Sequence, residues 1–167
     1  MPVNSTARKY LSDVVKGANT EENSNAMQFN YDTVTVTSAN TVATLGIPVV
    51  WDTSASTFVI YTDATQGEVA AAKTAGDSPL PGGGVVAVLV GTAVGLGFNS
   101  ANVNYTAGVN ATAFHRGWNN AGVVKEGIDY TTAATSTANQ TAFEKELEAQ
   151  GIMVIESAEA IIPTYTF

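Results

Sequence analysis

The sequence predicts a mainly β domain with one C-terminal helix and an extended N-terminal arm. Three observations carry that prediction. "YDTVTVTS", from Tyr31, alternates valine with threonine, the period of a half-buried strand. "VVAVLV", Val85 to Val90, is apolar at every position, which suits a strand covered on both faces. Only "TSTANQTAFEKELEAQGI" combines helical spacing with start and stop signals.

The elements follow in chain order. Residues 1–33 read as the arm: "ENSNAMQFN" is polar and has no periodic apolar positions to pack. Within it, "RKYLSDVVKGA" places Leu11, Val14 and Val15 at helical spacing. So short a turn is not stable unaided, so it is expected to fold onto the body or to meet a partner.

The body, residues 34–156, continues with "GIPVVWDTSASTFVIYT". Ile47 to Trp51 and Thr57 to Thr62 read as two strands around a turn in which Asp52 and Ser54 bond their own backbone. "AGDSPLPGGG" is expected to be a loop. "NVNYTAGVNATAFHRG" offers a further strand or two, broken near Gly108. In the helix, Thr137 is the expected N-cap and Gly151 the residue after the C-cap. Phe143 and Leu147 share its inner face, with Ala142 and Ala149 flanking and Glu144, Glu146 and Glu148 outside. "IMVIE", Ile152 to Glu156, resumes as a strand. Residues 157–167 form an extension whose Pro163 limits it to an edge or extended segment.

Composition narrows the function. The chain carries 15 acidic and 7 basic residues, for a net charge of −8. The charge is unevenly spread: residues 1–20 hold Arg8, Lys9 and Lys16 against Asp13, net +2, leaving −10 elsewhere. An acidic body argues against a nucleic-acid partner, because phosphate binding needs a basic surface. Charged residues make up only 13%, about half the usual share, which implies that part of the surface is covered by other proteins. The longest apolar run, Val85 to Phe98, contains three glycines and falls short of the about 20 residues of a spanning helix, so no membrane is expected. No secretory signal is read at the N-terminus. The absence of cysteine excludes disulfides and thiolate metal sites.

Residues that invite a chemical reading each meet a blander one. His115, the only histidine, lies beside Arg116 in "AFHRGWNNAGV". On a regular strand the two point to opposite faces, with Phe114 and Arg116 on one side, so His115 is not expected to act as a catalytic base. No G-x-S-x-G elbow occurs, and the chain reads as non-enzymatic. Glu144 and Glu148 share a helix face, read as solvated rather than as paired catalytic carboxylates. "PGGGVVAVLVGTAVGLG" lacks the Gly-Lys-Ser/Thr ending of a phosphate loop. One histidine and scattered carboxylates make neither a metal site nor a cofactor site. Trp51 and Trp118 would stack on sugars if exposed, but packing in a core or at a subunit boundary is the commoner fate of tryptophan.

No single motif is specific, but their order is. "YLSDVVKG", "YDTVTVTSANTVATLGIPVV", "PVVWDTSASTFVIY", "GGGVVAVLV", "AFHRGWNNAGV" and "TAFEKELEAQGIMVI" follow one another as in the tailed-phage head decoration proteins of the lambda-type trimeric family, which this chain resembles over most of residues 9–156. Ala87 stands where a glycine is common in that family. The stretches 67–84, 123–136 and 157–167 are longer than its pattern.

The resemblance implies a β-clip-like decoration-protein fold and a homotrimer. Such trimers sit at three-fold and quasi-three-fold sites of the expanded head, on its outer surface, and stabilise the shell against packaged DNA. The protein would be made in the host cytoplasm, with the major capsid protein as its partner. The capsid-binding arm would then include Arg8, Lys9, Tyr10, Leu11, Val14, Val15, Lys16, Val34 and Val36, and Trp51 and Trp118 become candidates for the trimer interface. The alternative is a virion-displayed carbohydrate-binding β module that takes a host-surface glycan on an exposed tryptophan.

Overall fold

The computed structural model describes residues 15–16, 30–36, 41–43, 46–89, 91–92, 95–96, 103–105, 109–116, 122–130 and 135–156. In chain order these form β1 (Val15–Lys16), β2 (Asn30–Val36), β3 (Thr41–Ala43), β4 (Pro48–Asp52), β5 (Thr57–Ile60), helix α1 (Glu68–Ala75) and β6 (Val86–Leu89). There follow β7 (Gly91–Thr92), β8 (Gly95–Leu96), β9 (Val103–Tyr105), β10 (Val109–Arg116), β11 (Gly122–Val124), helix α2 (Thr137–Ala149) and β12 (Met153–Ile155). Among the described residues the class is sheets with two α-helices; α1 lies in the stretch 67–84, where no helix is expected.

The central sheet closes into a barrel of order β10-β2-β5-β4-β6. The longest seam is β2 against β10, antiparallel from Val109↔Val36 to Arg116↔Asn30. Its register shifts between Phe114 and Arg116, so His115 falls in a β-bulge. A bulge interrupts strand alternation, which removes the basis for putting Phe114 and Arg116 on one side. Closure runs through a single parallel pair, Val36↔Phe58 between β2 and β5. β4 and β5 form the expected hairpin. Asp52 Oδ1 accepts from the Ser54 N–H at 2.9 Å, from the Ser54 hydroxyl at 2.6 Å and from the Ala55 N–H at 3.1 Å. That side chain stands in for the backbone in the turn.

β6 lies between β4 and β10, and each of its four residues is fully buried, as its unbroken apolar run predicts. The core gathers Val49, Val50 and Phe58 from the hairpin, Val88 from β6 and Phe143 and Leu147 from α2. Truncating a side chain such as Phe143 removes roughly 3–5 kcal/mol in a site of this kind.

Helix α1 was not legible because it has no apolar stripe. "EVAAAKTA" is rich in alanine, whose helix propensity is the highest, and Ala72 is its one buried residue. It stops at Gly76, whose φ of 64° suits a residue without Cβ. Lys73 Nζ ties it to Glu146 of α2 at 2.7 Å. The N-cap of α2 is Ser136, one residue before the expected Thr137, and its hydroxyl accepts from the Asn139 N–H. At the other end, Ile152 N–H donates to Leu147 O and Gly151 N–H to Glu148 O, both at 2.9 Å, with Gly151 at φ 84°. This double bond pattern is the Schellman stop that the glycine predicts. Ala142 and Ala149 are exposed rather than flanking a buried face.

Outside the barrel, β1, β11 and β12 form a three-stranded sheet in that order. β1 joins β11 antiparallel through Val15↔Val123 and Lys16↔Gly122, and β11 joins β12 in parallel. Val15 and Lys16 are therefore strand residues, not a helical turn. Two short ribbons, β3 with β9 and β7 with β8, complete the pairing.

Candidate functional site

The small sheet is the place where the N-terminal segment meets the body, and the groups behind it form a connected polar cluster. β11 runs directly into a 3-10 turn, Lys125–Gly127, and Gly127 and Ile128 are buried at its end. Lys125 Nζ lies 3.2 Å from Glu144 Oε2 on α2 and 3.6 Å from Glu156 Oε2 just after β12. One ammonium thus pins the turn, the helix and the end of the strand together. Hydrogen bonding to Glu144, reinforced by its charge and that of Glu156, raises the Lys125 pKa above its ordinary value.

Glu144 is 8% exposed, which corrects the expectation of a solvated helix face. Its carboxylate is kept in charge balance by Lys125, and the Tyr130 hydroxyl donates to its Oε1 at 3.4 Å. Burial, then the Glu144 charge, pushes the Tyr130 phenol up from its ordinary value. Tyr130 meets Phe143 edge-on with ring centres 6.1 Å apart, and Tyr61 packs on the same ring at 4.8 Å. The Tyr61 hydroxyl donates to Asn139 O at 2.9 Å, and burial raises its pKa as well. This arrangement lies behind the small sheet and links it to α2. Its polar members are paired with one another across the turn, the helix and the end of β12.

The sequence-predicted residues distribute as follows. Val15, Lys16 and Val34 are strand residues, Val34 pairing with Ala111. Val36 is 1% exposed, in the core, and pairs with both Val109 and Phe58. Val36 is thus a barrel residue and offers no surface to a partner, a correction to its placement with the capsid-binding residues. Trp51 is 9% exposed, its ring edge against Phe58 at 5.2 Å and its Nε1 donating to Asp77 Oδ2 at 3.4 Å. A ring so enclosed is no platform for a sugar and leaves little area for a second subunit. His115 and Arg116 are the last residues of β10. Arg8, Lys9, Tyr10, Leu11, Val14, Trp118 and the extension 157–167 lie outside the described residues.

Among the described residues no cluster of three or more histidine, cysteine, aspartate or glutamate side chains could hold a metal ion, and no helix is long and apolar enough to cross a membrane. The polar cluster was missed in the sequence because its members come from four separate segments, around residues 61, 125–130, 139–144 and 156. The available signal was Lys125 and Tyr130 close together in the stretch before the helix. Comparison of the whole chain with protein-family models, curated proteins and solved structures returns no match.

Proposed function

We propose that this chain is a capsid decoration (cement) protein of a tailed-phage head. As a homotrimer it binds the major capsid protein at three-fold and quasi-three-fold sites of the expanded shell and stabilises it against internal DNA pressure. The observation that carries this reading is the collinear order of segments resembling the lambda-type decoration family over residues 9–156. One of those segments coincides with a whole structural unit, the Asp52 hairpin of β4 and β5, and another covers α2 from Thr141 onward with its glycine stop and β12. A β-clip-like fold is part of the same proposal.

The contact with the shell is assigned to the N-terminal segment. Its net charge of +2 opposes the −10 of the remainder, which would steer it to an acidic patch. Three such segments per trimer bind with avidity, so each contact can be weak. The work is mechanical, needs interface area and uses no cofactor.

The test is co-sedimentation with purified expanded, undecorated capsids, followed by imaging. Full-length protein should give density at three-fold positions. Deleting residues 1–14, which spares β1, should abolish binding and leave trimers intact. Smooth shells with the full-length protein would overturn the proposal, and full-strength binding by the truncated protein would overturn the role of the arm.

A further inference from the structure

The N-terminal segment joins the small sheet through β1, and the register fixes at which end. Val15 lies opposite Val123 and Lys16 opposite Gly122, antiparallel. The N-terminal end of β1 therefore lies toward the C-terminal end of β11, and Lys125 follows that end directly. β1 has two residues, and in an antiparallel ladder one of two successive positions exchanges both backbone bonds with its partner. So few bonds return little more free energy than ordering the two residues takes. A strand this short docks well only on a partner strand that is already held in place.

β11 is held in that way. Val123 packs into the core. β12 pairs along one edge, in parallel, through Gly122↔Met153, Val123↔Val154 and Val124↔Ile155. One step further along the same two strands come Lys125 and Glu156, whose side chains meet at 3.6 Å. Their ion pair extends the strand pairing past its last backbone partners. The same ammonium lies 3.2 Å from Glu144 Oε2 on α2, a helix seated in the core by Phe143 and Leu147. Lys125 thus ties the end of β11 to a strand and to a helix at once.

We infer that Lys125 is a positioning residue for the N-terminal arm: clamped between Glu144 and Glu156, it holds the edge of β11 on which β1 docks. The docking is a property of the free protein; its use in capsid binding rests on the reading proposed above. With β1 docked, residues 1–14 start from a fixed point at Val15. With β1 undocked, the next paired residue of the chain among the described residues is Asn30. A longer tether lowers the effective concentration of each arm at its capsid site, and three arms per trimer multiply the loss.

The experiment is amide hydrogen exchange on the free full-length protein and on two variants. Lys125→Met/Glu144→Gln removes the clamp without leaving a buried carboxylate unpaired, and it keeps an acceptor for the Tyr130 hydroxyl. Lys125→Arg keeps both ion pairs. The β1 amide that bonds β11 should exchange at least about threefold faster in the double variant, with the amides of β6 and α2 unchanged, and at the original rate in Lys125→Arg. Unchanged exchange in the double variant overturns the inference. So does equal acceleration in β6 and α2, which would make Lys125 a general stabiliser, and so does an unprotected β1 amide in the unaltered protein. Loss of protection in Lys125→Arg as large as in the double variant would overturn the clamp. The same proteins are then sedimented with expanded capsids, where the double variant, still trimeric, should bind at least about threefold more weakly. Altered exchange with equal capsid binding would overturn the positioning of the arm. Altered exchange with no capsid binding by any of the proteins would uphold the clamp and remove the decoration reading instead.

Discussion

Gln150 pairs with Val86 as a strand residue would. Its side-chain Oε1 accepts from the Val86 N–H at 2.9 Å while its Nε2 donates to Val86 O at 2.8 Å. Oε1 also accepts from the Val85 N–H at 2.9 Å. β10 pairs with β6 only at Val88 and Leu89, so the amide at the end of α2 completes the edge that β10 does not reach.

Replacing Gln150 by alanine removes the side-chain partner of three backbone groups, the Val85 N–H and the N–H and carbonyl of Val86. Each such group, where buried, costs about 1–3 kcal/mol, and partial access to water reduces the total to roughly 2–4 kcal/mol. Urea denaturation reads this directly. A Cβ at Gly84 would sit 2.9 Å from Gln150 Nε2, so Gly84→Ala should destabilise by displacing the amide. The two substitutions should therefore be non-additive, with the double variant clearly less destabilised than the two single effects combined. Full additivity would show that Gly84 acts independently of Gln150.

Asp63 predicts acid sensitivity at the start of α2. Its Oδ1 accepts from the Ser136 N–H at 2.8 Å and from the Asn139 side-chain amide at 2.7 Å. The Ser136 bond first, then the Asn139 bond, holds the carboxyl below the ordinary value of 3.8. Stability from a lowered carboxylate is present above the unfolded value and is lost as pH falls through the folded one, so the loss is expected below about pH 4. Titration of Asp63 by NMR should show a midpoint below the ordinary value, and Asn139→Ala should move it upward.

Tyr130 and Lys125 predict sensitivity at the alkaline end. Burial raises the Tyr130 phenol, and the Glu144 hydrogen bond raises Lys125. Stability from a raised pKa is complete below the unfolded value and is lost as pH rises through the folded one, so it declines above about pH 10. Tyr130→Phe should reduce the protons released on alkaline unfolding by about one per molecule. At neutral pH it should change stability by less than about 1 kcal/mol, because the hydroxyl's two bonds are both long, at 3.4 Å. Denaturation at pH 7 and at alkaline pH, compared between the two proteins, measures both effects.

Thr53 predicts a gain. Its hydroxyl oxygen is buried without a hydrogen-bond partner. Thr53→Val keeps the shape and removes the unsatisfied group, so thermal unfolding should show unchanged or increased stability, by up to about 1 kcal/mol. A loss of more than that would mean the hydroxyl has a role in the turn.

The sequence by itself determined the pieces whose cause lies within a few residues. The Asp52 turn depends on partners two and three residues away, α2 on the Phe143–Leu147 spacing and the Gly151 stop, and β6 on an unbroken apolar run. The tertiary structure decided what depends on distant partners. Barrel closure at Val36↔Phe58, the burial of Glu144 beside Lys125, the enclosure of Trp51 and the use of Gln150 as a strand residue 64 positions from Val86 belong to this group. α1 belongs there too, since its alanines show no apolar face and its tie to α2 is the Lys73–Glu146 pair. The physical reason is range: alternation and capping act between neighbours along the chain, whereas burial and edge pairing exist only once separate segments meet.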